Sequence, residues 1–245
     1  MPISNFGDRL NLWTGNPNLR PEFTDSYELN YLLYLEGGTI MFGSFYRVTT
    51  DVIERVTLSQ GDGTTIRTPI NLSTRNSYGL EMNVSYDVAD WWTLNADANF
   101  FRAMVDGSFE GVDYSADTYI WTGRLNTNVE FSKKLDMQLS FNYRGPRQTT
   151  QGERLALYSF NAGFSLEVMQ GQGTLTLSGR DLFNTRIRRS IIDLPELQSE
   201  SEFQWRRAQG VTLGFTYRLN QDKQRRGRRD GSRPYRDQRS SGDAF

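Results

Sequence analysis

The 245-residue chain contains no cysteine and no histidine. No disulfide framework, thiol nucleophile or histidine-based triad is therefore available, and the usual zinc sites are excluded. Long apolar runs are missing as well, and no stretch approaches the roughly 20 consecutive apolar residues of a membrane helix. Mean hydropathy is −0.62. That excludes a helical membrane protein but not a β-barrel, which turns only every second residue to lipid. The opening MPISNFGDRLNLWTG is polar and irregular, with no basic, apolar and small-residue succession of a signal peptide. A barrel beginning in this way is expected to be part of a longer exported precursor.

What is present is alternation. From Tyr119 to Phe131 the odd positions are Tyr119, Trp121, Gly123, Leu125, Thr127, Val129 and Phe131. The even positions between them include Ile120, Thr122, Arg124, Asn126, Asn128 and Glu130. Successive strand side chains point to opposite faces, so this run has one apolar and one wet face. Its length suits a tilted bilayer crossing, for which roughly 9–11 residues suffice.

The pattern recurs and predicts nine strands, at about 26–36, 39–56, 76–88, 91–105, 118–131, 135–144, 155–168, 174–182 and 209–218. Gly37-Gly38, Ala89-Asp90, Ser132–Lys134 and Gly171–Gly173 read as short turns. Polar stretches at Val56–Arg75, Asp106–Asp117, Gly145–Arg154 and Phe183–Arg207 read as long loops. Short and long connections alternate strictly, as in an up-and-down outer-membrane barrel with short periplasmic turns and long external loops. The expected fold is all-β, an antiparallel transmembrane barrel segment. The expected division is an extracellular segment over 1–25, barrel wall over 26–219, and a disordered tail over 220–245. The tail holds eight lysines and arginines against four aspartates and little that could form a core. Its interspersed aspartates and single tyrosine argue for a solvated extension, not a nucleic acid site.

A soluble β-sandwich or small-barrel binding protein would alternate in the same way. Its interior would have to hold Glu81, Asp97, Arg124, Glu130 and Glu167, and unpaired buried charge is costly. A water-filled lumen removes that cost. Aromatics near the strand ends suit membrane interfaces: Trp91, Trp92, Phe131 and Tyr217 at the periplasmic side, and Tyr119, Trp121 and Tyr143 at the outer side. Carboxylates such as Asp113 and Asp117 read as loop charges, so no enzyme is expected.

Four segments carry a more specific signal. Residues 15–28 read GNPNLRPEFTDSYE, and 76–86 read NSYGLEMNVSY with Gly79, Leu80 and Glu81. Residues 174–186 read TLTLSGRDLFNTR with Asp181-Leu182-Phe183-Asn184, and 210–220 read GVTLGFTYRLN. In this order they resemble the barrel of TonB-dependent outer-membrane receptors, in the branch with Bacteroidota-like members. The resemblance implies a 22-stranded barrel of which nine strands are a C-terminal portion. It implies energised uptake of a scarce or bulky ligand, with TonB reached through a plug absent here, outer-membrane lipid around the wall, and room for a surface lipoprotein partner. No cofactor and no nucleic acid partner are expected. The loops are then the expected ligand contacts, with Arg186, Arg188, Arg189, Asp113 and Asp117 as candidates.

Overall fold

The computed structural model describes residues 10–61, 63–194, 197–204 and 208–219. The tail over 220–245 lies outside the described residues. Nine strands form one antiparallel sheet in chain order. They are β1 (Phe23–Leu35), β2 (Gly38–Thr50), β3 (Thr74–Ala89), β4 (Trp92–Asp106) and β5 (Ala116–Ser132). Then follow β6 (Leu135–Arg144), β7 (Leu157–Val168), β8 (Gly173–Arg180) and β9 (Gly210–Tyr217). Each strand pairs with its sequence neighbours, leaving β1 and β9 as the open edges of an unclosed wall.

All nine predicted strands are present, with shifted ends. The second does not run on to residue 56. Asp51 takes a left-handed φ of 52°, and Val52, fully buried, leads into a separate strand, Ile53–Ser59. The eighth stops at Arg180 because Asp181 is also left-handed, at φ 46°. The seventh starts at Leu157, since the Leu155 N–H donates instead to Arg189 O at 3.1 Å. The short turns fall at Glu36-Gly37, Asp90-Trp91, Lys133-Lys134 and Met169–Gln172, a residue or two from their predicted places.

These turns are tied into a rim. Gly37 O, Trp91 O, Lys134 O and Gln172 O accept hydrogen bonds from Asp87, Glu130, Glu167 and Arg218 N–H at 2.7–2.8 Å. Carbonyls that a turn would leave bare are thereby satisfied by the next hairpin.

Register confirms the two faces. Leu125 lies between Ala96 and Phe141, and Asn126 between Asn95 and Ser140. Polar neighbours extend across strands as Asn83, Asp97, Arg124 and Asn142. Arg124 Nε donates to Asn142 Oδ1 at 3.1 Å.

The four long connections are not the plain polar loops expected from composition. Asn11–Trp13 pairs in parallel with Thr65–Asn71, which also pairs with Ile53–Ser59. Ser108–Phe109 and Val112–Asp113 form a small hairpin. Arg147–Thr149, Gly152–Arg154, Ile187–Leu194 and Leu197–Gln204 make a four-stranded sheet. The clustered hydrophobic core of the described residues lies here, from Val52, Val56, Ile70, Leu72, Val105 and Tyr114. The sheet itself is one layer, so the packed core belongs to its loop end.

Candidate functional site

At the loop end the polar face turns apolar. Phe45, Phe101, Ala103, Val105 and Ile120 continue the polar face in register, yet Phe45, Ala103, Val105 and Ile120 are buried. Val105 packs into the loop core, and Phe101, Ala103 and Ile120 face loop residues across a shared cavity, so apolar side chains are favoured there. Gly79 makes this possible locally. It sits between Phe45 and Phe101, whose rings are 5.8 Å apart. A Cβ at Gly79 would meet Phe101 Cβ at 2.2 Å. The glycine of the Gly-Leu-Glu segment leaves room for an aromatic pair to cross the strand.

On the opposite face the same level carries a row in register: Tyr27, Tyr46, Tyr78, Arg102 and Tyr119. Tyr27 stacks on Tyr46 at 6.4 Å and Tyr119 on Phe100 at 5.9 Å. Arg102 donates to Tyr78 Oη at 3.2 Å and to Asp117 Oδ1 at 2.8 Å. Trp121 meets Tyr143 edge-on at 5.8 Å. Tyr27 and Tyr46, which the alternation places on the apolar faces of their strands, and Tyr78 add three aromatics in register with Tyr119 to that level. At the turn end Trp91 stacks on Trp92 at 6.0 Å, and Trp92 Nε1 donates to Thr127 Oγ1 at 2.7 Å. Phe131 is exposed at a bulge between Glu130 and Ser132. Tyr217 donates to Gln172 Oε1 at 3.1 Å. The seven predicted aromatics therefore fall into two groups, one at each end of the strands.

The segment 16–22 is a brace. Asn16 Oδ1 accepts from Asn18 N–H at 2.9 Å, and Asn16 Nδ2 donates to Pro69 O at 3.2 Å. Arg20 pairs with Asp51 at 2.5 Å, and Glu22 Oε2 accepts from Ile53 N–H at 3.0 Å. Asn71 completes it, accepting from Arg20 N–H and donating to Arg20 O and Asp51 O. Asp181, in the Asp-Leu-Phe-Asn segment, is buried. It accepts from the N–H groups of Thr185 and Arg186 at 3.0 and 3.2 Å and fixes the turn after β8. The first segment is accounted for by hydrogen bonds to residues 51–71 and the second by bonds within its own turn.

The five predicted ligand residues have separate settings. Arg189 pairs with Glu202 at 2.8 Å on an exposed hairpin, and Arg188 is exposed on the same strand. Arg186 borders the polar face together with Glu81, Asp97 and Arg124. Asp117 is engaged by Arg102 at 2.5 Å on the apolar-belt side. Asp113 Oδ1 accepts from Ser115 N–H at 2.9 Å. The Ser115 hydroxyl and then its backbone N–H hold the Asp113 carboxyl below the ordinary aspartate range.

A different set converges. A cavity of about 520 Å³ lies between the loop sheets and the loop end of the polar face, and Arg55, Arg67, Arg75, Arg147 and Arg154 line it with Glu54 and Glu153. Arg75 pairs with Glu54. Arg67 lies 4.9 Å from the Trp13 ring centroid. Burial lowers its affinity for its proton, and the charges of Arg55 and Arg154 add to this. Arg147 is shifted down by burial first, then by Arg154 and Arg144, with Glu54 opposing. Gln151 closes one wall: Thr57 N–H donates to its Oε1 at 2.7 Å and its Nε2 donates to Thr57 O at 2.8 Å. These arginines come from separate loops, so no sequence spacing announced them.

Residues 1–217 match the outer membrane protein beta-barrel family. The chain belongs to that family. Its fold resembles the ferric yersiniabactin uptake receptor FyuA from Yersinia pestis, with TM-score 0.54 and 16% identity, over 79% of this chain and 29% of that one. It also resembles the FrpB iron transporter (F3-3 variant) from Neisseria meningitidis, with TM-score 0.50 and 12% identity, over 84% of this chain and 33% of that one. No curated protein matches. This barrel-family chain thus spans about a third of the length of those receptors. It is an outer-membrane protein, its strands are transmembrane, and the wall they form is partial.

Proposed function

We propose that this chain is the C-terminal barrel portion of a TonB-dependent outer-membrane receptor for energised uptake of a scarce or bulky ligand. The observation carrying this reading is the packed loop assembly at one end of the wall, which frames a cavity over the polar face. An open pore has no need of a packed, polar-lined pocket at its mouth, whereas a receptor must hold its ligand there. The likeness to two iron uptake proteins supports the same reading.

In this reading residues 1–25 are extracellular, 26–219 form wall and external loops, and 220–245 extend into the periplasm. Lipid contacts the face carrying Leu125, Phe141 and Phe164. Trp91, Trp92, Phe131 and Tyr217 lie at the inner interface, with Tyr119, Trp121 and Tyr143 at the outer one. TonB acts through a plug domain, and a surface lipoprotein has the outer loop sheets to meet. Arg186, Arg188, Arg189, Asp113 and Asp117 remain proposed ligand-facing loop residues. The wall has no catalytic part.

Deletion of the whole encoding gene, followed by growth on single sources of ferric siderophore, cobalamin, glycan or peptide, tests the reading. Growth should fail on one source and return with a plasmid copy only in cells with functional TonB. Unchanged growth on every source, or TonB-independent rescue, rejects it.

A further inference from the structure

The cavity at the loop end has an unbalanced lining. Five arginines, Arg55, Arg67, Arg75, Arg147 and Arg154, face two glutamates, Glu54 and Glu153, a formal excess of three positive charges. Arg75 and Glu54 satisfy each other. Arg55, Arg67, Arg147 and Arg154 make no ion pair with a described residue within 4.0 Å. Arg67 and Arg147 are half-buried, and Arg55 and Arg154 are exposed beside them. Among the described residues, Arg67 Nε is a buried side-chain donor without an acceptor.

Like charges held this close repel, and partial burial strengthens the repulsion because little water screens it. A folded chain retains such an arrangement at a cost to its own stability. An incoming anion offsets that cost. Guanidinium groups offer forked donors matched to carboxylate and phosphate oxygens. The cavity, at about 520 Å³, falls in the size range of small-molecule sites, roughly 300–1,000 Å³.

We propose that this cavity is an anion-binding site, in which Arg67 and Arg147 take the carboxylate or phosphate groups of a small polyanionic solute and Arg55 and Arg154 steer it in. The site deepens the receptor reading and rests on it only for the onward passage of the solute. Trp13, beneath the Arg67 guanidinium, reports occupancy through its fluorescence.

The test uses the full-length receptor in detergent micelles, titrated calorimetrically with citrate, pyrophosphate and, as a neutral control, maltotriose. At least one anion should bind, more weakly as salt is raised, and maltotriose should not. Combined Arg67→Gln and Arg147→Gln should weaken binding at least about tenfold, a change of about 1.4 kcal/mol. Lys133→Gln, an exposed cation in the short turn between β5 and β6 at the opposite end of the wall, should leave it unchanged. Trp13→Phe should abolish the fluorescence change while calorimetric binding persists. Should the double variant fail to fold, by its mobility on unheated electrophoresis gels, exposed Arg55→Gln with Arg154→Gln takes its place, with a smaller loss expected. Absence of anion binding, or binding that both arginine pairs leave unchanged, overturns the proposal. Anion binding without TonB-dependent uptake rejects the receptor reading and keeps the site. Uptake that survives intact in both pairs rejects the site and keeps the receptor.

Discussion

Gln151 and Thr57, 94 residues apart, close a ring of two hydrogen bonds between side chain and backbone. Gln151 is 7% exposed. Its amide supplies what an adjoining strand would have offered Thr57, one acceptor and one donor, and it joins two loop sheets that share no ladder. The cavity between those sheets depends on this link.

Gln151→Ala should therefore loosen the loop assembly and leave the wall intact. Losing both partners strands a buried donor and acceptor, at about 1–3 kcal/mol. Hydrogen exchange in the full receptor should quicken at Ile53–Ser59 and Gly152–Arg154, with β5 and β6 unchanged. Equal protection in both regions would refute the link.

Leu125 and Asn126 test the assignment of faces. Arginine at Leu125, between Ala96 and Phe141, should cost about 2–4 kcal/mol if the site is at midplane. At Asn126, beside Asn95 and Ser140, it should cost little. Refolding of the full receptor into lipid vesicles measures both, and equal costs would reject the inside and outside faces.

Gly79→Val should push Phe101 away from Phe45. The added Cβ alone would fall 2.2 Å from Phe101 Cβ, and overpacking of this kind costs about 1–3 kcal/mol. A double change, Gly79→Val with Phe101→Ala, should recover part of the loss in the same refolding measurement. No recovery would show that the aromatic crossing is not the reason for the glycine.

Asp113 gives a pH dependence. Its folded carboxyl is held below the ordinary value of 3.8 by Ser115. Folding thus favours the ionised form. Its contribution is complete above the unfolded value and lost as pH falls through the depressed folded one. Proteolysis of the 107–115 loop should rise as pH drops below about 4, using an acid-active protease. Asp113→Asn should flatten that rise, and an identical profile would remove Asp113 as its cause.

The wall was legible because its information is local. Strand side chains alternate whatever the neighbours do, so Leu125 and Asn126 declare their faces within a single segment. Short and long connections could be counted directly, and the glycine of Gly-Leu-Glu and the aspartate of Asp-Leu-Phe-Asn stood out by type. Strand ends were less legible, since Asp51 and Asp181 leave the extended region where distant partners, Ser73 O and Asn161 Oδ1, take their N–H groups. The loops appeared polar because their core residues are few and scattered: Val52 and Val56 precede Ile70 and Leu72, and Val105 and Tyr114 come far later.

The sequence by itself determined a two-faced, up-and-down wall, because a period of two follows from the backbone geometry of each strand. Only the tertiary structure decided that the outer loops pack into a core and bring Arg67 and Arg147 to one cavity. Eighty residues separate those arginines along the chain. Their meeting depends on contacts such as Gln151 with Thr57, and long-range contacts leave no periodic trace in a sequence.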